Sequence, residues 1–281
     1  MTTTAQTDTP VTATGQVLLE AEGLSKSYGQ VKALRDGRIT VRSGRVTAII
    51  GDNGAGKSTF VGCLSGMHRP DDGSIEVDGT RVHFSGPQAA RKSGIETVYQ
   101  DLALVDTLRV WQNLFLGRET GVGGGPLRWL KRRSMREEAR RMIGTLAVNV
   151  PSVDARVNGL SGGQRQAVAL ARAAGWGSRI VILDEPTAAL GVQETAKVEE
   201  MILRLREQGL GLVLISHNFD QVLRVADDVF VMRAGATVAY RETEGTTGQD
   251  LVSLVTGATV DPLETHHPSS PITPDDVKEA P

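Results

Sequence analysis

The stretch VTAIIGDNGAGKSTF, Val46 to Phe60, decides how the rest of the chain is read. VTAII is a short, largely apolar run broken only by Thr47, the pattern of a strand buried on both faces. GDNGAGKST, Gly51 to Thr59, follows and matches G-x-x-x-x-G-K-[ST]; a helical pattern then runs over 57–66. Strand, glycine-rich turn and helix in that order form a loop able to wrap a phosphate. Gly51, Gly54 and Gly56 let the backbone approach closely with its N–H groups inward, and Asp52, Asn53 and Ala55 complete the loop. The helix start adds partial positive charge. Lys57 is placed to reach the β- and γ-phosphates of a nucleotide, and Ser58, followed by Thr59, to hold Mg2+. The plain alternative, a chance glycine-rich turn before a surface lysine, fits the strand–loop–helix context poorly.

Working outward, IVIL at 180–183 and LVLI at 212–215 are further buried strands. Helical patterns at 192–208 and 218–226 alternate with them, which predicts a parallel sheet covered on both faces. The earlier block, VLLEAEGLSKSY and then RITVRS, alternates as antiparallel strands do. Between Gln100 and Gly159 the strand signal disappears and a helical pattern occupies 128–147. The expected architecture is α/β: a P-loop NTPase core with a mostly parallel sheet, an antiparallel β subdomain, and a helical subdomain inserted at about 101–159. Thr-rich residues 1–15 and the Pro- and Ser-rich end, 258–281, read as a disordered leader and tail around a body at 16–257. There is no internal repeat, so one such unit is expected.

Composition narrows the function. The 281 residues suffice to bury a core, and a net charge of −2 argues against holding nucleic acid by a global positive field. Cys63 is the single cysteine, which excludes an internal disulfide. No apolar run reaches the ~18–20 residues of a membrane span, and the start lacks a secretory signal pattern. The chain reads as cytosolic, serving any membrane process through a partner.

Two further segments carry chemistry. IVILDEPTAAL, 180–190, ends a strand on two acids. Asp184 is the metal-side candidate, acting through water, and Glu185 is placed to take a proton from an attacking water; two solvated acids at a strand end are the alternative. LSGGQ, at 160–164, starts a helix with a donor-rich turn, Ser161, Gly162, Gly163 and Gln164, suited to a γ-phosphate. One nucleotide needs one such loop, so this second turn is most useful on another subunit's nucleotide.

The order GDNGAGKST, VYQD, LSGGQ, ILDEPT, ISHN resembles the ABC transporter ATPase family over essentially the whole body. The resemblance implies a homodimer of cassettes that holds two ATP molecules between the phosphate loop of one copy and the Ser161–Gln164 turn of the other. It also implies that Tyr28 stacks on adenine, that Gln100 sits near Mg2+ and the attacking water, and that His217 contacts the γ-phosphate and orients Glu185. Taken alone, His217 reads as a capped loop histidine. The chain departs from the family at Gly191, where many members carry an aspartate touching the opposite subunit; cross-subunit hydrogen bonding there must differ.

VYQDLALVDTLRVWQNLFLGRE, 98–119, and AALGVQE are similar to the ATPases of bacterial importers of pentoses and other simple sugars (ribose, xylose and fructose types). That likeness implies import powered by ATP at the cytoplasmic side of the membrane, on permease subunits fed by an extracellular sugar-binding protein, with no nucleic acid partner. Trp111, Leu114, Phe115 and Leu116 form either an apolar groove for the permease or the core of the helical subdomain. The competing class is a soluble ABC ATPase of DNA repair or translation. Basic 127–142 reads as a solvated helix face, Cys63 as packing, and His266 and His267 as tail residues without metal-ligand spacing.

Overall fold

The computed structural model describes residues 15–122, 129–146 and 150–258. The expected leader and tail, with His266 and His267, lie outside these residues apart from Gly15 and Ala258. One ten-stranded sheet organises the chain. Its middle is parallel: β3 (Val46–Ile50) pairs with β10 (Gly211–Ile215) on one side and β11 (Asp228–Arg233) on the other. Beyond β10 follow β9 (Ile180–Asp184) and β6 (Ile95–Val98). On the far edge, β12 (Ala236–Glu242) turns back antiparallel to β11 and meets β2 (Val31–Arg42) in parallel. The antiparallel set β2, β1 (Val17–Tyr28), β4 (Asp72–Val77) and β5 (Thr80–Val82) completes the sheet.

The predominantly apolar runs of β3, β9 and β10 have a direct cause. Successive side chains alternate between faces, and both faces are covered. Val46, Ala48 and Ile50 enter a core shared with α5 (Gly162–Ala174) and α6 (Val192–Glu207). Ile49, Ile182 and Val213 enter the opposite core with α1 (Lys57–Leu64). Phe60, Val61, Cys63 and Leu64 of α1 are all buried there, and a fully buried Phe or Leu contributes about 1.5–3 kcal/mol. This packing holds α1, and therefore the loop before it, against the sheet. Cys63 is part of it: burial pushes its thiol up to about 11, so it is a packing group.

Helix α2 (Pro87–Lys92) precedes β6, α7 (Phe219–Val225) follows β10, and α8 (Gly248–Thr256) follows β12. Between β6 and α5 lie α3 (Val110–Leu114), a hairpin of β7 (Gly121–Val122) and β8 (Trp129–Leu130), and α4 (Arg132–Thr145). The helix expected at 128–147 therefore starts later, because Trp129 and Leu130 pair back onto Gly121 and Val122. Trp111, Leu114 and Phe115 are buried against α4 and α5 and belong to the core; only Leu116, 45% exposed, faces out. Among the described residues no helix is long and apolar enough to cross a membrane.

Candidate functional site

The loop Gly51–Gly56 leaves the end of β3 and enters α1 with glycines in conformations that side chains rarely adopt. At Gly51 a Cβ would collide with the carbonyl of Met232, and at Gly56 it would sit 2.8 Å from the carbonyl oxygen of Ala33. Close approach of backbone, as much as φ, requires glycine there. The turn Ala234–Gly235 between β11 and β12 holds the loop from outside, with Gly235 N–H donating to the Ala55 carbonyl (3.0 Å) and Arg35 N–H to the Gly235 carbonyl (2.6 Å). Lys57 Nζ donates to the carbonyls of Gly51 (2.6 Å) and Asp52 (2.9 Å). Burial lowers the pKa of this ammonium, while Glu185, Asp52 and Asp184 oppose the shift.

These elements open a cleft of about 550 Å³. Asn53, Gly54, Gly56, Lys57, Ser58 and Thr59 line one wall, with Gln100, Asp184 and Glu185 facing them. Gly51 and Ala55 lie buried behind the wall, and Asp52 is exposed beside it. The acids arrive on β9, two strands from β3. Burial foremost, and then Glu185, raise the Asp184 carboxyl above its usual range, offset by Lys57. A cation beside Asp184 would relieve this cost. The oxygen donors of Ser58, Gln100 and Asp184 suit a hard cation that completes its shell with phosphate and water. Among the described residues no group of three or more His, Cys, Asp or Glu could hold a metal ion.

Glu185 has φ 50, the left-handed region, where strain persists only if the surroundings over-determine it. Its N–H donates to the carbonyl of Ile215 (3.0 Å), joining the ends of β9 and β10. His217, just past β10, donates from Nδ1 to Glu185 Oε1 (2.8 Å). An ionised carboxylate can only accept, so this bond is made with a proton on Nδ1.

Three further expected participants do not line the cleft: His217, which is joined to it through Glu185, the Ser161–Gln164 turn, and Tyr28. Ser161 caps α5: its Oγ accepts from Gln164 N–H (3.4 Å) while Gln164 Oε1 accepts from Ser161 N–H (3.0 Å). None of Ser161, Gly162, Gly163 and Gln164 lines the cleft that Lys57 faces. Tyr28, 44% exposed, sits at the hairpin opposite Val31, with its ring edge-on to His68; Val31 is on the cleft wall and Tyr28 is not. Sequence reasoning missed Val31, Lys32, Ala33 and Arg35, and also Ala234 and Gly235. The one available signal was the Ala–Gly pair at 234–235, where both residues take positive φ as a tight hairpin requires.

Behind Gln100, the Arg172 guanidinium on α5 donates to the carbonyls of Leu102 (2.7 Å) and Ala103 (2.8 Å). Gly191 caps α6 in extended backbone, exposed and with open space where a side chain would project.

A phosphate loop on the central strand, paired acids two strands away and a separate glycine-rich helix start together define a nucleotide-hydrolysing cassette. The ABC transporter family pattern matches residues 34–188, and the chain belongs to that family, whose cassettes are ATPases. It is 45% identical over 251 residues to a fructose import ATP-binding protein of Rhizobium meliloti, a match covering 88% of this chain and 96% of that one. It is 41% identical over 239 residues to a xylose/arabinose import ATP-binding protein of Sulfolobus acidocaldarius, covering 85% and 94%. A ribose import ATP-binding protein of Chromobacterium violaceum is 39% identical over 84% of this chain, which spans 46% of that longer protein. Among solved structures, the ADP conformation of an ABC transporter's ATP-binding cassette superposes with a TM-score of 0.73 at 26% identity, covering 86% of this chain and 95% of that one.

Proposed function

We propose that this chain is the ATPase subunit of an ABC importer for a simple sugar, working as a homodimer docked on permease subunits at the cytoplasmic face of the membrane. The observation that carries the chemistry is the single cleft shared by Lys57, Asp184 and Glu185, with His217 bonded to Glu185. The relatives named for fructose, xylose/arabinose and ribose import support the cargo class. Passage of the sugar from an extracellular binding protein to the permease follows from the same likeness.

In this reading the loop 51–59 wraps the phosphates and Lys57 moves from the carbonyls of Gly51 and Asp52 to the β- and γ-oxygens. Tyr28 offers its ring to the adenine. Ser58 and Gln100, with Asp184 through water, would hold Mg2+, which when bound would supply neutralisation of the phosphate charge. Glu185 takes a proton from water as the water oxygen bonds to the γ-phosphorus; the bond to the bridging oxygen breaks and ADP leaves. His217 holds the carboxylate and reaches the γ-phosphate with its other nitrogen. The Ser161–Gln164 turn, outside its own cleft, serves the partner copy's nucleotide. The segment at about 101–159, tied to α5 through Arg172, acts as the helical subdomain between Gln100 and the permease.

The test is uptake of labelled pentoses and hexoses by cells whose only copy of the chain carries Lys57→Ala. The reading predicts that uptake of one such sugar collapses. Unchanged uptake across the panel contradicts it.

A further inference from the structure

Gln221 is completely buried in the first turn of α7, and none of the steps above uses it. Its side chain joins two loops. Oε1 accepts from Ser216 Oγ (2.9 Å), and Nε2 donates to Thr187 Oγ1 (3.0 Å). Its backbone N–H donates to Asn218 Oδ1 (3.0 Å), and Asn218 N–H donates to Ser216 Oγ (3.1 Å). Ser216 precedes His217, and Thr187 stands two residues after Glu185.

A buried amide is retained at the cost of desolvation, and this one meets that cost by mutual hydrogen bonding. Networks of this kind rigidify what they join. The residues they serve need such support. The His217 side chain is 70% exposed, so packing does not fix its ring and the backbone that carries it must. Glu185 sits in left-handed backbone, which its surroundings must hold. The Ile215 carbonyl, bonded to Glu185 N–H, supplies one tie between the loops, and the Gln221 amide supplies the second.

We propose that Gln221 is a positioning residue for ATP hydrolysis, fastening the turn after Glu185 to the loop of His217 so that the 2.8 Å contact between them is kept. The proposal rests on the reading of Glu185 and His217 as the reacting pair. Gln221 touches neither nucleotide nor water and acts through them. Misplacement by about 1 Å costs up to 100-fold in rate, whereas ATP binding depends on the phosphate loop and should be spared.

The experiment compares steady-state ATPase and ATP affinity of the full chain as wild type, Gln221→Leu, Thr187→Val, Thr187→Ser and Glu185→Gln. Gln221→Leu and Thr187→Val should each lower kcat at least about 10-fold, with KM and the ATP dissociation constant within about two-fold of wild type. Thr187→Ser keeps the hydroxyl and should restore most of the rate. The double variant Gln221→Leu/Thr187→Val should fall no further than the worse single one, because both cut one network. Equal loss of rate and ATP affinity, or a Thr187→Ser as slow as Thr187→Val, overturns the proposal as mere structural damage. If Glu185→Gln is inactive while both network variants turn over at the wild-type rate, the proposal alone fails. If Glu185→Gln turns over normally, the reading of the base fails and the proposal with it.

Discussion

His217 Nδ1 lies 2.8 Å from Glu185 Oε1, and the two residues come from the ends of adjacent parallel strands, β10 and β9. The strand register sets this meeting, since Ile215 pairs with Asp184 and each functional residue follows just beyond that pair. Placing both at the same end of the sheet puts their contact beside the phosphate loop at the end of β3.

Removing that contact should slow chemistry without harming the fold. His217→Ala is expected to lower kcat by about 10²-fold or more while ATP affinity holds, a split read by ATPase kinetics and calorimetric titration. Because His217 is exposed, unfolding free energy should change by no more than about 0.5 kcal/mol.

Lys57→Ala should act on binding. It removes a charge-assisted donor from the phosphate-loop wall of the cleft, where each such bond is worth about 1.5–3 kcal/mol. ATP affinity should fall at least about 10-fold in calorimetric titration.

The loop glycines should rank by what a methyl group meets. Gly51→Ala collides with the Met232 carbonyl, whereas Gly54→Ala finds open space and bears only the left-handed penalty of about 1–2 kcal/mol. Denaturant melts should therefore show Gly51→Ala as the less stable protein.

The strand and helix runs were legible where the physics is local. β3, β9 and β10 announce themselves because both faces are covered, and β1 appears over its full span, Val17–Tyr28, as an alternating run. β4, β5 and β6 are short or carry polar residues, such as Glu96 within β6, so periodicity did not mark them. The site divides the same way. Lys57, Ser58, Asp184 and Glu185 share the cleft and are visible as strand-end or loop chemistry, whereas Gln100, which shares it too, comes from the family resemblance alone. Ala33 and Arg35 reach it only because β2 meets β12 at a single pairing, Asp36 with Ala236. Gln221 looks like any polar helix residue until the fold buries it.

Asp184 gives a pH signature. Its carboxyl is raised in the fold, chiefly by burial, so its stability contribution is complete below the ordinary aspartate range and is lost as pH rises through the raised value. Asp184→Asn should therefore melt higher than wild type at neutral pH when no nucleotide or Mg2+ is added. The advantage should fade as the buffer is made acidic; a gain that is independent of pH contradicts the assignment.

Gly191→Asp should be accommodated without strain, since the position is extended and open, and an aspartate N-cap exceeds glycine by only a few tenths of a kcal/mol. Melting temperature should hold or rise slightly. A change in ATP-dependent dimerisation by sedimentation would then report on the cross-subunit contact itself.

The central claim is that Glu185 activates water in an ATP sandwich closed by the Ser161–Gln164 turn of a second copy. The measurement is ATP hydrolysis by wild type beside Glu185→Gln, with oligomeric state followed in the same samples. The account predicts that Glu185→Gln loses hydrolysis by at least about 100-fold yet dimerises when ATP is added. A Glu185→Gln protein that hydrolyses ATP at the wild-type rate would contradict it.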